Sequence, residues 1–203
     1  MTPRQYKAYA KIEERYQKRV AQERAEEWRI RLGRRIKLGE AKDSMKFFAL
    51  AQKDVPLIIK LTENPKYFTS RLFTGAVDLF THDCIHIILG RGLLVKDEAF
   101  VIGYTMGSAK KMKRWRRNLF MWICKHLYPE GYRFGEEERF VFYSGVMAGS
   151  RCEADLSKVS FNKLLNYELE ELRHLLGIDS DLLRCYYCAE KKLFKDRESQ
   201  RLT

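Results

Sequence analysis

Val77-Asp78-Leu79-Phe80-Thr81-His82-Asp83-Cys84-Ile85-His86-Ile87-Ile88-Leu89-Gly90 carries two of the four histidines in the chain, one helical turn apart in an apolar run. Apolar residues recur at Phe73, Ala76, Val77, Phe80, Cys84, Ile87 and Ile88, the spacing of a helix with one buried stripe. His82 and His86 stand at i and i+4, so they stack on one side of that helix. Leu79, Ile85 and Leu89 make the remaining faces apolar too, which predicts a helix at the centre of the fold. Two imidazoles and the Asp83 carboxylate in such a setting need partners, because a buried polar group left unpaired is costly.

A divalent metal supplies such a partner. Neutral imidazole and carboxylate are ordinary ligands for zinc and its neighbours. Gly90-Arg91-Gly92 lets the chain turn, and an antiparallel helix starting near Val95 returns Glu98 toward His86. His82, Asp83 and His86 are therefore candidate ligands of one ion, zinc first, with Glu98 a candidate to complete the set. The competing explanation of Glu98 is an ordinary acid in a first helical turn, a role that Asp97 fills equally well. Zinc peptidases with His-Glu-x-x-His need the longer glutamate as general base, and Asp83 occupies that slot here. Phosphohydrolases built on a His-Asp doublet use a further histidine upstream, and no histidine precedes His82.

His82-Asp83-x-x-His86, eleven residues and then Glu98 resembles the signature of the ubiquinone-biosynthesis family known as coenzyme Q protein four. Leu165-Asn166-Tyr167-Glu168-Leu169-Glu170-Glu171-Leu172-Arg173-His174-Leu175-Leu176-Gly177-Ile178 resembles the helix that closes that family's domain. The similarity spans roughly residues 68–178. It implies a helical protein that acts on prenylated benzoquinone precursors at a membrane surface. The implied roles are oxidative decarboxylation at C1 of the ring and organisation of the pathway's enzymes. The resemblance also selects Glu98 over Asp97 as the ligand.

The 203 residues suit one domain with a sizeable core. Hydrophobic residues make up 45% and charged residues 33%, a globular balance. A net charge of +12 favours anionic partners: acidic lipid, phosphorylated ligands or nucleic acid. Five scattered cysteines argue against a disulfide framework, and no apolar run reaches the roughly 20 residues of a membrane span. These features predict a cytoplasmic protein, peripheral at most to a membrane.

Residues 1–40 read as a charged helix with Tyr9, Ile12, Tyr16 and Val20 on one face, able to lie on the domain or on a protein partner. Gly39 and Asp43-Ser44 mark a boundary, and short helices are expected around 45–51 and 56–63. Lys110, Lys111, Lys113, Arg114, Arg116 and Arg117 form a basic run beside Trp115 and Trp122. That composition suits an interfacial helix on anionic lipid and also suits phosphate contacts. Gly103, Gly107, Gly145 and Gly149 allow close packing of two helices or of a ligand chain. Leu164 to Leu176 reads as an amphipathic helix with Gly177 as its cap. Cys185-x-x-Cys188 is a lone pair without a second one at zinc-finger spacing, and residues after Lys195 read as frayed.

The expectation is an all-α domain at 44–180, around a central metal-bearing helix, with a charged helical arm at 1–43 and a tail at 181–203. An apolar groove lined by Phe100, Tyr104, Phe142 and Met147 is expected to take a prenyl chain. Two other function classes fit the same residues. One is a metal-dependent hydrolase of a phosphorylated or nucleotide substrate. The other is a non-enzymatic scaffold, binding lipid or nucleic acid, with a structural metal.

Overall fold

The computed structural model describes residues 6, 28–45, 77–110, 112–130 and 133–202. The expected helix at 56–63, the expected helix at 45–51 beyond Met45, nearly all of the arm before Trp28, and Lys111 lie outside them. Among the described residues the chain forms eight α-helices and no strand. They are α1 (Leu38–Met45), α2 (Leu79–Leu89), α3 (Val95–Ser108), α4 (Arg114–His126), α5 (Glu136–Gly149), α6 (Leu169–Leu176), α7 (Ser180–Leu193) and α8 (Arg197–Gln200). Two 3-10 turns, Leu156–Lys158 and Phe161–Lys163, link α5 to α6.

Among the described residues the tightest contact is between α3 and α5, not around the histidine helix as the sequence suggests. Its cause is a reciprocal pair of glycine steps. A Cβ on Gly103 or Gly107 would strike the carbonyl oxygens of Phe142 and Val146. A Cβ on Gly145 or Gly149 would strike those of Phe100 and Tyr104. The glycines are consumed by backbone contact between helices. Phe100, Phe120 and Phe142 are fully buried around this pair, each contributing about 1.5–3 kcal/mol relative to an exposed ring.

α2 packs between α1 and α3. Asp78 caps its start by accepting from the Thr81 amide at 2.8 Å, as N-cap aspartates do. Every residue from Asp83 to Leu89 is buried. Gly90 ends the helix at φ 69°, where its amide reaches the carbonyls of His86 and Ile87, a left-handed cap that glycine adopts without strain.

Trp28–Ile36 is not helical, which departs from the expected continuous arm. Trp28 and Ile30 are buried, with Arg29 half-buried between them and Arg31 exposed after them. That period of two belongs to an extended strap and not to a helix. The Trp28 indole donates to the Ser44 hydroxyl at 3.2 Å, so this segment is part of the domain. The boundary expected at 43/44 falls inside α1. Gly39 sits in that helix, its amide donating to the Leu165 carbonyl at 2.8 Å.

The closing helix is shorter than expected. Leu164–Glu168 stays outside α6 and pairs instead with the chain entering α1 through Leu38 N to Tyr167 O and Leu169 N to Ile36 O, both 3.0 Å. Leu169, Leu172 and Leu176 face the core, and Gly177 caps α6 at φ 67°. The region from residue 181 onward is packed: Leu183, Tyr187, Glu190, Ser199 and Leu202 are all buried.

Candidate metal centre

His82 and His86 lie on the side of α2 that faces the start of α3. Their rings meet edge-on with centroids 4.6 Å apart. The turn between the two helices is short, and Glu98 is the fourth residue of α3, so its carboxylate comes back onto the imidazoles. His82 Nε2 is 3.3 Å from Glu98 Oε2, and His86 Nε2 is 3.3 Å from Glu98 Oε1. One ligand atom from each of the three side chains lies within 4.8 Å of the others. Donors bonded at 2.0–2.1 Å to one tetrahedral ion stand roughly 3.3 Å apart.

The tautomer of His86 follows from its surroundings. Its Nδ1 is 2.7 Å from the Gly92 carbonyl oxygen, which only accepts, so Nδ1 carries the proton and donates. Nε2 of the neutral ring then presents a lone pair. That atom is buried without an aligned hydrogen bond, and it faces a carboxylate oxygen. Two acceptors facing each other require a proton or a cation between them. A carbonyl on the far nitrogen is also the usual partner of a metal-ligating histidine.

Glu98 keeps 31% of its side chain exposed. Its surroundings push its acidity both ways. Burial alone raises its carboxyl, but positive charge on the neighbouring imidazoles, when they are protonated, outweighs that and holds it well below the usual carboxylate range. It is the anionic member of the set.

Comparison of the chain with family models, curated proteins and solved structures finds no match.

Asp83 is not brought to the cluster. One residue beyond His82, it is turned about 100° around the helix, and its carboxylate pairs with Lys42 of α1 at 2.9 Å. Asp97 is also occupied elsewhere. It accepts from the Leu94 amide at 3.1 Å, satisfying the amide of the residue that precedes α3, and pairs with Arg201. Glu98 is thereby left to face the imidazoles, while its neighbour takes the first-turn role.

Of the basic run, Lys110, Lys113 and Arg114 are exposed, and Arg116 and Arg117 are half-buried. Trp115 and Trp122 stand two turns apart on α4 and are 52% and 53% exposed. The expected prenyl groove does not form from the four residues predicted for it. Phe100, Tyr104 and Phe142 are core residues, because the glycine steps draw α3 and α5 together, and Met147 faces outward. A cleft of about 530 Å³ opens instead between α4 and the start of α5, lined by Trp122, Met121, Phe134, Tyr143, Arg114 and Arg139 among others. Cys185 and Cys188 are exposed thiols on α7, while Cys84, Cys124 and Cys152 are buried. Burial pushes the Cys84 thiol up to about 12, so it is inert despite its place between the two histidines.

Several residues around the cluster leave no mark in the sequence pattern. The Gly92 carbonyl is one, since a backbone acceptor carries no residue signature. Arg91 is another. Fully buried, it stacks between Phe100 and Tyr187 at 4.2 and 4.4 Å and donates to Glu190 at 3.1 and 2.5 Å. A charged residue between two glycines at the end of an apolar helix is the available hint.

Proposed function

We propose that this chain is a divalent-metal protein. In this reading His82, His86 and Glu98 hold one ion, zinc first, and the protein acts on a prenylated quinone-precursor ring at a membrane surface. The observation that carries the metal is the His86 ring, whose proton is committed to Gly92 and whose other nitrogen faces Glu98 without an aligned bond. A donor set of two histidines and a carboxylate leaves a fourth position open, as catalytic zinc sites do. Bound there, the ion supplies Lewis acidity toward an oxygen on the substrate ring. The chain's own residues orient the donors: Gly92 fixes the His86 ring, and Glu98 supplies the negative charge.

The substrate class rests on the resemblance to the ubiquinone-biosynthesis family. Its two motif stretches meet in space, since the Arg173 Nε of the second donates to the Ile88 carbonyl of the first at 2.7 Å. Membrane attachment is favoured by the exposed tryptophans of α4 beside Lys113 and Arg114, the mixture that settles a helix at an anionic interface. No helix among the described residues is long and apolar enough to cross a membrane.

The test is equilibrium dialysis against zinc, then titration of the zinc-loaded protein with a prenylated hydroxybenzoate and with aryl phosphates. The reading predicts one zinc per chain and saturable binding of the prenylated ring. Turnover of the phosphates without binding of that ring would replace it with a phosphohydrolase.

A further inference from the structure

The turn between α2 and α3 delivers two things to the cluster: the Gly92 carbonyl that fixes His86, and the register of Glu98. The carbonyls at the end of α2 lack helical partners, as at any helix C-terminus. Those of His86 and Ile87 accept from the turn's own amides, and those of Ile88 and Leu89 are taken by distant side chains. Tyr187 Oη donates to Leu89 O at 2.5 Å, and Arg173 Nε donates to Ile88 O at 2.7 Å. Arg91, inside the turn, is held by Glu190.

The other side of the turn is held from the same part of the chain. Asp97, in the first turn of α3, pairs with Arg201. The Lys96 amide donates to Glu198 at 3.1 Å, and its ammonium donates to Asp196 at 2.6 Å and to Glu137 at 2.5 Å. A Cβ on Gly92 would strike the Arg201 guanidinium, the Asp97 carboxylate and the Trp28 carbonyl. Most of the anchors of the turn therefore come from residues 173–201, about a hundred positions away.

We infer that the C-terminal segment from Arg173 to Arg201 positions the metal donors, with Tyr187 and Arg201 as positioning residues that set the cluster's affinity. Tyr187 holds the turn on the His86 side, and Arg201 on the Glu98 side. Neither touches the donors, so each acts through the backbone it holds. The inference rests on the metal reading above and adds to it the part of the chain that tunes the site. Partners that orient ligands from behind change affinity by about 10- to 100-fold.

The experiment measures zinc affinity by chelator competition, and the cobalt absorption spectrum as a signature of donor geometry. The proteins are wild type, Tyr187→Phe, Arg201→Gln and Arg201→Lys. Phe120→Leu, a core change on α4 away from the turn, is the stability control. Expected are about tenfold weaker zinc binding and an altered cobalt spectrum for Tyr187→Phe and Arg201→Gln. Arg201→Lys should recover most of the affinity, and Phe120→Leu should leave affinity and spectrum unchanged. Affinities within twofold of wild type in the turn variants would overturn the inference while leaving the metal reading intact. Equal weakening by Phe120→Leu would also overturn it, as a general stability effect. A wild type that binds no zinc would overturn both.

Discussion

Two sets of cations in this chain behave in opposite ways. Arg91 and Arg173 are fully buried and hold the turn beside the histidine pair. Lys110, Lys113 and Arg114 are exposed beside half-exposed tryptophans. Both sets contribute to the same net charge of +12. Charge in the interior is a structural part committed to fixed partners, whereas the charge at and before the start of α4 is exposed. Stability should therefore depend on the first set, and surface binding on the second.

The largest effect is expected from Glu190→Ala. It removes both hydrogen bonds from the Arg91 guanidinium, leaving Asp97 at 3.7 Å as its nearest carboxylate, and should cost about 3 kcal/mol, read as a lower midpoint in urea unfolding. Replacing Arg91 and Glu190 together with methionine and leucine should cost clearly less, because a buried pair can often be exchanged for apolar packing. Equal costs for the single and double changes would erase the distinction between paired and stranded charge.

The second set gives a smaller and separate effect. Lys113→Ala and Arg114→Ala should each weaken binding to anionic vesicles about fivefold, from roughly 1 kcal/mol per cation near such a surface. Stability should stay within about 0.5 kcal/mol of wild type. Binding to DNA in their place, with the same salt sensitivity, would move the partner from lipid to nucleic acid.

The smallest effect is on acid stability. Burial raises the Asp196 carboxyl, but its bond to Lys96 and the Ser199 amide outweigh that and hold it below the ordinary value. A carboxylate lowered by folding stabilises above its unfolded pKa, and that stabilisation is lost as pH falls through the folded value. Acid thermal melts should show wild type losing stability over that window, with Asp196→Asn losing less. Asp196 is 35% exposed, so solvent screens the effect. Parallel melts of the two proteins would remove Asp196 from the account.

Much of the cluster was legible in the sequence. The i, i+4 spacing of His82 and His86 and a short glycine-flanked turn suffice to bring Glu98 onto the imidazoles. Asp83 reads as a ligand because nothing in its own stretch announces Lys42, which reaches it from another helix. All-α architecture was legible from periodicity, but the leading role of α3 and α5 was not. Four glycines read equally well as packing or as ligand space, and only the partner backbone decides between them. The C-terminal segment reads as a tail for a similar reason. Tyr187, Glu190 and Arg201 make contacts across about a hundred residues, and such pairs leave no period in the sequence. The strap leaves a mark in the alternation of Trp28–Leu32, which the long charged stretch before it conceals.

In the proposed site three side chains, not four, hold the metal. The measurement that decides this is the metal content of the purified protein beside His86→Ala, Glu98→Ala and Asp83→Asn, with folding checked by circular dichroism. Expected is near-stoichiometric metal in wild type and Asp83→Asn, and its loss from the other two while their helical spectra persist. Metal-free wild type after zinc loading, or equal metal in all four folded proteins, would overturn the proposal.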